Sequence, residues 1–167
     1  FVLADLPPGT YVVNVTPPAG HEHVAADQGD DTLDSDVDPA TGKTAPITLI
    51  SGDANVDTDA GLYLPATIGG TVWNDINASA TEDAGEGGLA GVTVSLLDSG
   101  GATVATAVTD ASGNYAFGDL APGDYQVVVD EATLPAGSTG TTLNSPLDVT
   151  VASGETYVDG DFGYRIV

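Results

Sequence analysis

Six residues with side-chain or backbone oxygen to offer fall in one short stretch: Asp75, Asn77, Ser79, Thr81, Asp83 and Glu86, within WNDINASATEDAGEGGLAG. Counted from Asp75 they occupy positions 1, 3, 5, 7, 9 and 12. That is the spacing of an EF-hand calcium loop, in which position 7 lends its backbone carbonyl and the position-12 glutamate binds through both oxygens. Calcium takes six to eight hard oxygens at about 2.3 to 2.6 Å, and alternate residues of a tight loop point inward to supply them. Two residues differ from the common pattern: Ala80 stands at position 6, where the sharp turn favours glycine, and Ser79 replaces a carboxylate. Fewer carboxylates mean weaker binding, so the expected affinity lies in the extracellular range of about 0.1 to 1 mM. The flanks are strand-like, which grafts this loop onto a β-domain.

A second acidic stretch, DQGDDTLDSDVDPATG, carries Asp31, Asp34, Asp36 and Asp38. Asp34, Asp36 and Asp38 alternate, so in an extended segment their carboxylates share a face and repel unless a cation or wide solvation separates them. Asp57 and Asp59, further along, are expected to approach the same place and complete a second calcium site. An acidic, solvated loop is the competing reading. His21 and His23, in GHEH, have no further imidazole partners and read as loop residues. Asp110, in TDASGNY, reads as a turn residue capping its own backbone rather than as a general base. A nucleophile elbow, a phosphate loop and paired carboxylates in an apolar setting are all missing from the sequence, so no catalytic activity is expected.

The elements that must position these residues follow from composition and repeat. The 167 residues hold 25 Asp plus Glu against 2 Lys plus Arg, a formal net charge of -23, which opposes approach to phosphate backbones and anionic lipid surfaces. Nucleic-acid binding and membrane insertion are therefore not expected. With no Cys, disulfides, thiolate zinc sites and iron–sulfur clusters are excluded. At 41% hydrophobic residues the chain has enough apolar side chains for real cores.

DLPPGTY at 5–11 returns as DLAPGDY at 119–125, each followed by an alternating β-branched run. ITLISGDANVDTDAGLY at 47–63 matches DVTVASGETYVDGDFGY at 148–164. Two homologous units follow: 1–64, read as the C-terminal half of a first domain; a linker at 65–70; and 71–167, a complete second domain. Strand-like runs near 70–74, 91–98, 102–109, 114–118, 124–130, 146–151 and 156–165 sit between Gly, Asp, Asn and Pro punctuation. Nothing longer holds a helical period. The expected fold is all-β, as tandem Greek-key β-sandwich domains. Val72, Trp73, Val92, Val94, Leu96, Tyr115, Phe117, Tyr125, Val127 and Val129 are expected in its core. The short, Pro-containing linker predicts a semi-rigid rod.

WNDINASATEDAGEGGLAGVTV, VTDASGNYAF and DLAPGDYQVVV together closely resemble the B-type repeat domains of serine–aspartate-repeat surface adhesins of Gram-positive bacteria. DLPPGTY, DDTLDSDVDPATGKT and DTDAGLY look like the second half of the same domain. The resemblance implies an immunoglobulin-like, prealbumin-like sandwich of the collagen-adhesin B class, arranged in tandem as a calcium-stiffened stalk outside the cell. It carries the calcium ligands onto Asp75, Asn77, Asp83 and Glu86 by side chain and Thr81 by backbone. Relatives in the broader class are often stapled by a Lys–Asn isopeptide bond, but residues 64–167 contain no Lys, which leaves metal as the expected staple. Partners on this reading are neighbouring repeat domains. Two alternatives stand beside it: a filament subunit whose half domain is completed by a neighbouring, even identical, chain, and a module that binds an external glycan or protein.

Overall fold

The computed structural model describes residues 1–30 and 32–167. The chain divides into two compact units, Phe1–Leu64 and Pro65–Val167.

The first unit is built from short strands: β1 (Gly9–Tyr11), β2 (Glu22–His23), β3 (Val37–Asp38), β4 (Lys43–Thr44), β5 (Ile47–Leu49) and β6 (Leu62–Tyr63). They pair antiparallel as β1 with β5, β2 with β6 and β3 with β4. Val37 is fully buried, while Leu3, Leu6, Val12, Ile50 and Val56 stay exposed. His23, expected in a loop, lies on β2, half-buried, with its Nε2 3.2 Å from the Val15 carbonyl.

The second unit contains β7 (Ala66–Asn74), β8 (Thr93–Asp98), β9 (Thr103–Val108), β10 (Asn114–Leu120), β11 (Gly123–Val129), β12 (Ser138–Gly140), β13 (Leu147–Val151), β14 (Thr156–Tyr157) and β15 (Phe162–Ile166), with a single 3-10 turn at Glu131–Thr133. One sheet runs β13-β11-β8-β9, the other β10-β7-β15-β12, with β14 also on β7. β8 and β9 form a hairpin within the first sheet and β14 and β15 both lie in the second, while every other connection crosses between the sheets, as in a Greek-key sandwich. Side chains that alternate inward fill the space between: Val94 and Leu96 from β8, Val127 and Val129 from β11, Tyr115 and Phe117 from β10, Ile68 and Val72 from β7, Phe162 and Tyr164 from β15. Their period of two is the pleat of a half-buried strand. Truncating such a side chain, Leu96→Ala for example, costs about 2 to 5 kcal/mol.

Four expectations need correction. Residues 66–70, read as linker, are the first half of β7, because Ala66 and Ile68 supply buried side chains that the Gly69-Gly70 pair disguises in the sequence. The run 156–165 is two strands, β14 and β15, broken at 158–161. There the Asp161 carboxylate accepts the Thr71 amide at 2.8 Å and the Gly160 amide donates to Gly69. Tyr125 is only half-buried, its ring against the core and its hydroxyl on the Ala121 carbonyl at 2.8 Å. Trp73 is buried at 2% exposure but stands apart from the core cluster. Its neighbour Val72 points inward, so Trp73 faces the other side of the sheet.

Candidate calcium loop

β7 ends at Asn74, and the chain turns out of the sheet at Asp75, whose amide still donates to the Tyr164 carbonyl at 3.0 Å. The Asp75 carboxylate is therefore fixed by the sheet at one end of the loop, and it is fully buried. Its Oδ1 accepts the Ser79 amide at 3.0 Å and its Oδ2 the Ala80 amide at 2.8 Å. Ala78 and Ala80 adopt left-handed backbone, φ 58° and 61°, the curvature that a glycine would have given without strain.

The remaining positions close on the same space. The Asn77 side-chain amide donates to Asp83 Oδ2 at 2.9 Å, and the Ser79 hydroxyl lies 2.9 Å from that oxygen and 3.0 Å from the Thr81 carbonyl. Glu86 spans the loop: Oε1 accepts the Ile76 amide at 2.8 Å and Oε2 the Asp83 amide at 3.0 Å. All six residues singled out by spacing thus lie in one hydrogen-bonded ring. Beyond the loop, the Leu89 amide bonds the Val72 carbonyl and Trp73 bridges Gly88, which returns the chain to the sheet.

The electrostatics match an anion-rich loop held by donors. For Asp75, burial opposes the charge, but the nearby Thr141 hydroxyl and the amides of Ala80, Ser79 and Ala78 outweigh it and lower the carboxyl below its ordinary value. The Thr141 oxygen approaches without the geometry of a full hydrogen bond. Asp83 is lowered by Asn77 and Ser79, against desolvation and the charge of Asp75. Among the described residues no three His, Cys, Asp or Glu side chains group tightly enough to hold a metal by themselves. A cation here would have to draw on Asn77, Ser79 and the Thr81 carbonyl as well; in the ring Asn77 Oδ1 accepts the Ser79 amide at 2.8 Å and the Ser79 hydroxyl lies 3.0 Å from the Thr81 carbonyl.

The second predicted set is only partly assembled. Asp36 and Asp59 are tied together, the Asp36 amide to the Asp59 carbonyl at 3.0 Å and the Asp59 amide to Asp36 Oδ2 at 2.7 Å. Asp36, Asp38 and Asp57 line one open depression of about 670 Å³, together with Lys43 and with Asp27, which opens the same acidic stretch. Asp34 is turned elsewhere, Oδ2 accepting the Gly29 amide at 2.7 Å and Oδ1 buried without a partner. Asp31 lies outside the described residues. Alternation placed Asp34 with Asp36 and Asp38, but strand geometry there lasts only over Val37–Asp38, so the shared face is not maintained.

The model of the SdrD B-like domain matches residues 1–62 and again 66–163. The chain belongs to that family. It is 38% identical over 152 residues to serine-aspartate repeat-containing protein D of Staphylococcus aureus (strain Newman), covering 89% of this chain and 11% of that protein. To serine-aspartate repeat-containing protein F of Staphylococcus epidermidis it is 35% identical over 154 residues, covering 92% of this chain and 8% of the relative. The chain thus spans about a tenth of the length of the curated relatives it matches. Among solved structures, the minor pilin of Streptococcus agalactiae aligns with a TM-score of 0.49 at 16% identity, over 76% of this chain and 65% of that one.

Proposed function

We propose that this SdrD B-like chain is a non-catalytic, extracellular repeat module of an adhesin-like surface or secreted protein, in which calcium held by the 75–86 loop stiffens the domain within a semi-rigid stalk. The observation that carries it is the loop itself. Six residues at calcium-loop spacing form one ring, with Asp75 anchored to the sheet and Glu86 clamping both ends. An ion that binds only the folded loop stabilises it by mass action, so stiffness follows ambient calcium. Asp36, Asp38, Asp57 and Asp59 are the donors of a weaker second site. The net charge of -23 supports the same reading, since bound cations relieve self-repulsion.

The test is a thermal melt of the full chain after chelation, with and without about 5 mM calcium and with matched magnesium, a concentration well above the expected dissociation constant. A calcium-selective rise in Tm that disappears in Glu86→Ala is the expected result. Equal melts in all conditions overturn the calcium reading and leave an acidic β-repeat.

A second reading, strand complementation, rests on the first unit. Phe1, Val2, Leu3, Leu6, Val12 and Ile50 are among the residues lining an apolar groove of about 610 Å³. Among the described residues β1 pairs only with β5, whereas its counterpart β11 pairs with β13 on one edge and β8 on the other. The groove and the open edge therefore call for strands of the β8 kind, supplied by preceding chain or by a neighbouring molecule. Light scattering across a concentration series separates the two sources: self-association supports completion by a neighbour, and a monomer at all concentrations rejects it.

A further inference from the structure

Trp73, Thr141 and Asp75 meet on the outer face of the β7-β15-β12 sheet. Trp73 lies opposite Gly163. Just past the end of β12, the Thr141 amide donates to the Gly163 carbonyl at 2.8 Å. Cross-strand neighbours point to one face, and residues two apart along a strand share it. That rule brings Thr141 beside the Trp73–Asp75 pair. Gly163 makes the meeting possible, because a Cβ there would lie 2.6 Å from Thr141 Oγ1 and 2.8 Å from Trp73 Cζ2. Thr141 Oγ1 is buried without a hydrogen-bond partner of full geometry, and Asp75 beside it has no exposed surface.

The first unit carries the β12–β15 side of this joint in its β2–β6 pair; among the described residues no strand in the place of β7 pairs with it. There the Val24 amide donates to the Gly61 carbonyl at 3.1 Å, and a Cβ on Gly61 would collide with the Val24 side chain. Val24 thus occupies the place of Thr141. The β2–β6 pairing forms with an isosteric apolar residue at this position, so pairing of the two strands does not need the hydroxyl. A buried hydroxyl with nothing to bond is costly, and its presence here calls for an acceptor. Asp75 is the acceptor at hand, its oxygens taking amides from Ser79 and Ala80 on the loop side.

We propose that Thr141 is a positioning residue for Asp75: its hydroxyl donates to the carboxylate and ties the 75–86 loop to the 138–145 segment, so that the two order together when a cation binds. The cation part rests on the calcium reading above; the positioning part rests on the strand register that sets Thr141 beside Asp75 and on a buried hydroxyl that has no other partner. The charge-assisted bond holds the first oxygen ligand in place before the ion arrives, in the way outer-shell partners orient metal ligands generally.

The test compares the full chain with Thr141→Val, which Val24 shows to be compatible with the strand pairing, and Thr141→Ser, which keeps the hydroxyl. Calcium affinity is read by calorimetry and by the fluorescence of Trp73, the single tryptophan. Hydrogen exchange of the Ser79 and Ala80 amides is read in calcium-free protein. Thr141→Val should weaken calcium binding about tenfold, the lower end of what loss of an outer-shell partner costs. It should also speed exchange at Ser79 and Ala80 while leaving the Val72 and Thr109 amides unchanged, and Thr141→Ser should restore both. Wild-type affinity and exchange in the valine variant, or a serine variant as impaired as the valine one, overturns the proposal. A wild-type chain that binds no calcium overturns the calcium reading alone, and the exchange comparison still decides the role of Thr141.

Discussion

Glu86 Oε1 accepts the amide proton of Ile76 at 2.8 Å, ten residues back along the chain. The other oxygen of the same carboxylate accepts the Asp83 amide. One side chain therefore closes the loop at both ends, with both oxygens of its carboxylate engaged. Glu86→Gln keeps one acceptor but loses the charge and one amide bond. We expect calcium affinity to fall by more than about tenfold, since even outer-shell partners cost about that much. The exposed neighbour Glu82, which falls outside the calcium-loop positions, should tolerate Glu82→Gln with no change. Calorimetric titration of both variants checks this, and equal affinities would remove Glu86 from the ligand set.

The parallel contact between β7 and the 158–161 break depends on backbones without side chains. A Cβ on Gly70 would collide with the Gly160 carbonyl, and that carbonyl also accepts the Tyr115 hydroxyl at 2.5 Å. Burial and the nearby charge of Asp161 push the Tyr115 hydroxyl well above its usual range, so it remains a donor at every ordinary pH. Tyr115→Phe leaves the carbonyl short of a buried partner and should cost about 1 to 3 kcal/mol. Gly70→Ala should cost at least as much by overpacking, about 1 to 3 kcal/mol or more. Urea unfolding followed by Trp73 fluorescence reports the second unit alone, and an unchanged midpoint for Gly70→Ala would contradict this packing.

The repeat was legible in fine detail because turn chemistry is local. Asp5 and Asp119 both take left-handed backbone, φ 58° and 56°, and Tyr11 bonds the Pro7 carbonyl as Tyr125 bonds that of Ala121. The register agrees as well: Gly9 and Tyr11 face Leu49 and Ile47, as Gly123 and Tyr125 face Val151 and Val149. The 75–86 ring was legible for the same reason, its partners being at most eleven residues apart. What stayed hidden depends on distant contacts. β12 could not be read from Ser-Thr-Gly, since it exists only by pairing with β15. Trp73 could not be assigned to the outer face without knowing that Gly163 lies beside it.

Acid should weaken the second unit and its calcium response together. The carboxyls of Asp75, Asp83 and Asp110 are held below their ordinary value. For Asp75, burial opposes the shift and is outweighed by donors; for Asp83 and Asp110, donors lead, the Asn114 and Ser112 amides in the last case. A lowered carboxyl contributes stability that is complete above its unfolded pKa, about 3.9, and is lost as pH falls through the lower folded value. The contribution of these three carboxyls should therefore be flat from neutral pH down to about pH 5 and decline below about pH 4. Asp110→Asn should make that decline shallower in a series of urea midpoints, and a slope identical to wild type would show that Asp110 gains nothing from its turn.

Asp161 runs the other way. Burial raises its carboxyl, the Thr71 amide partly opposes the shift, and the charge of Asp159 adds to it. A carboxyl raised in the folded state favours folding fully below its unfolded pKa, and that contribution is lost as pH rises through the folded value. At neutral pH the ionised Asp161 therefore costs stability relative to a neutral residue of the same shape. Asn keeps an oxygen for the Thr71 amide, now 2.8 Å from Asp161 Oδ1, and removes the charge beside Asp159. Asp161→Asn should raise the urea midpoint at pH 7 and lose that advantage below about pH 4, where wild-type Asp161 is itself protonated. A variant less stable than wild type at pH 7 would mean that the charge strengthens the Thr71 bond by more than burial penalises it. The break between β14 and β15 would then be held by a carboxylate that the fold requires ionised.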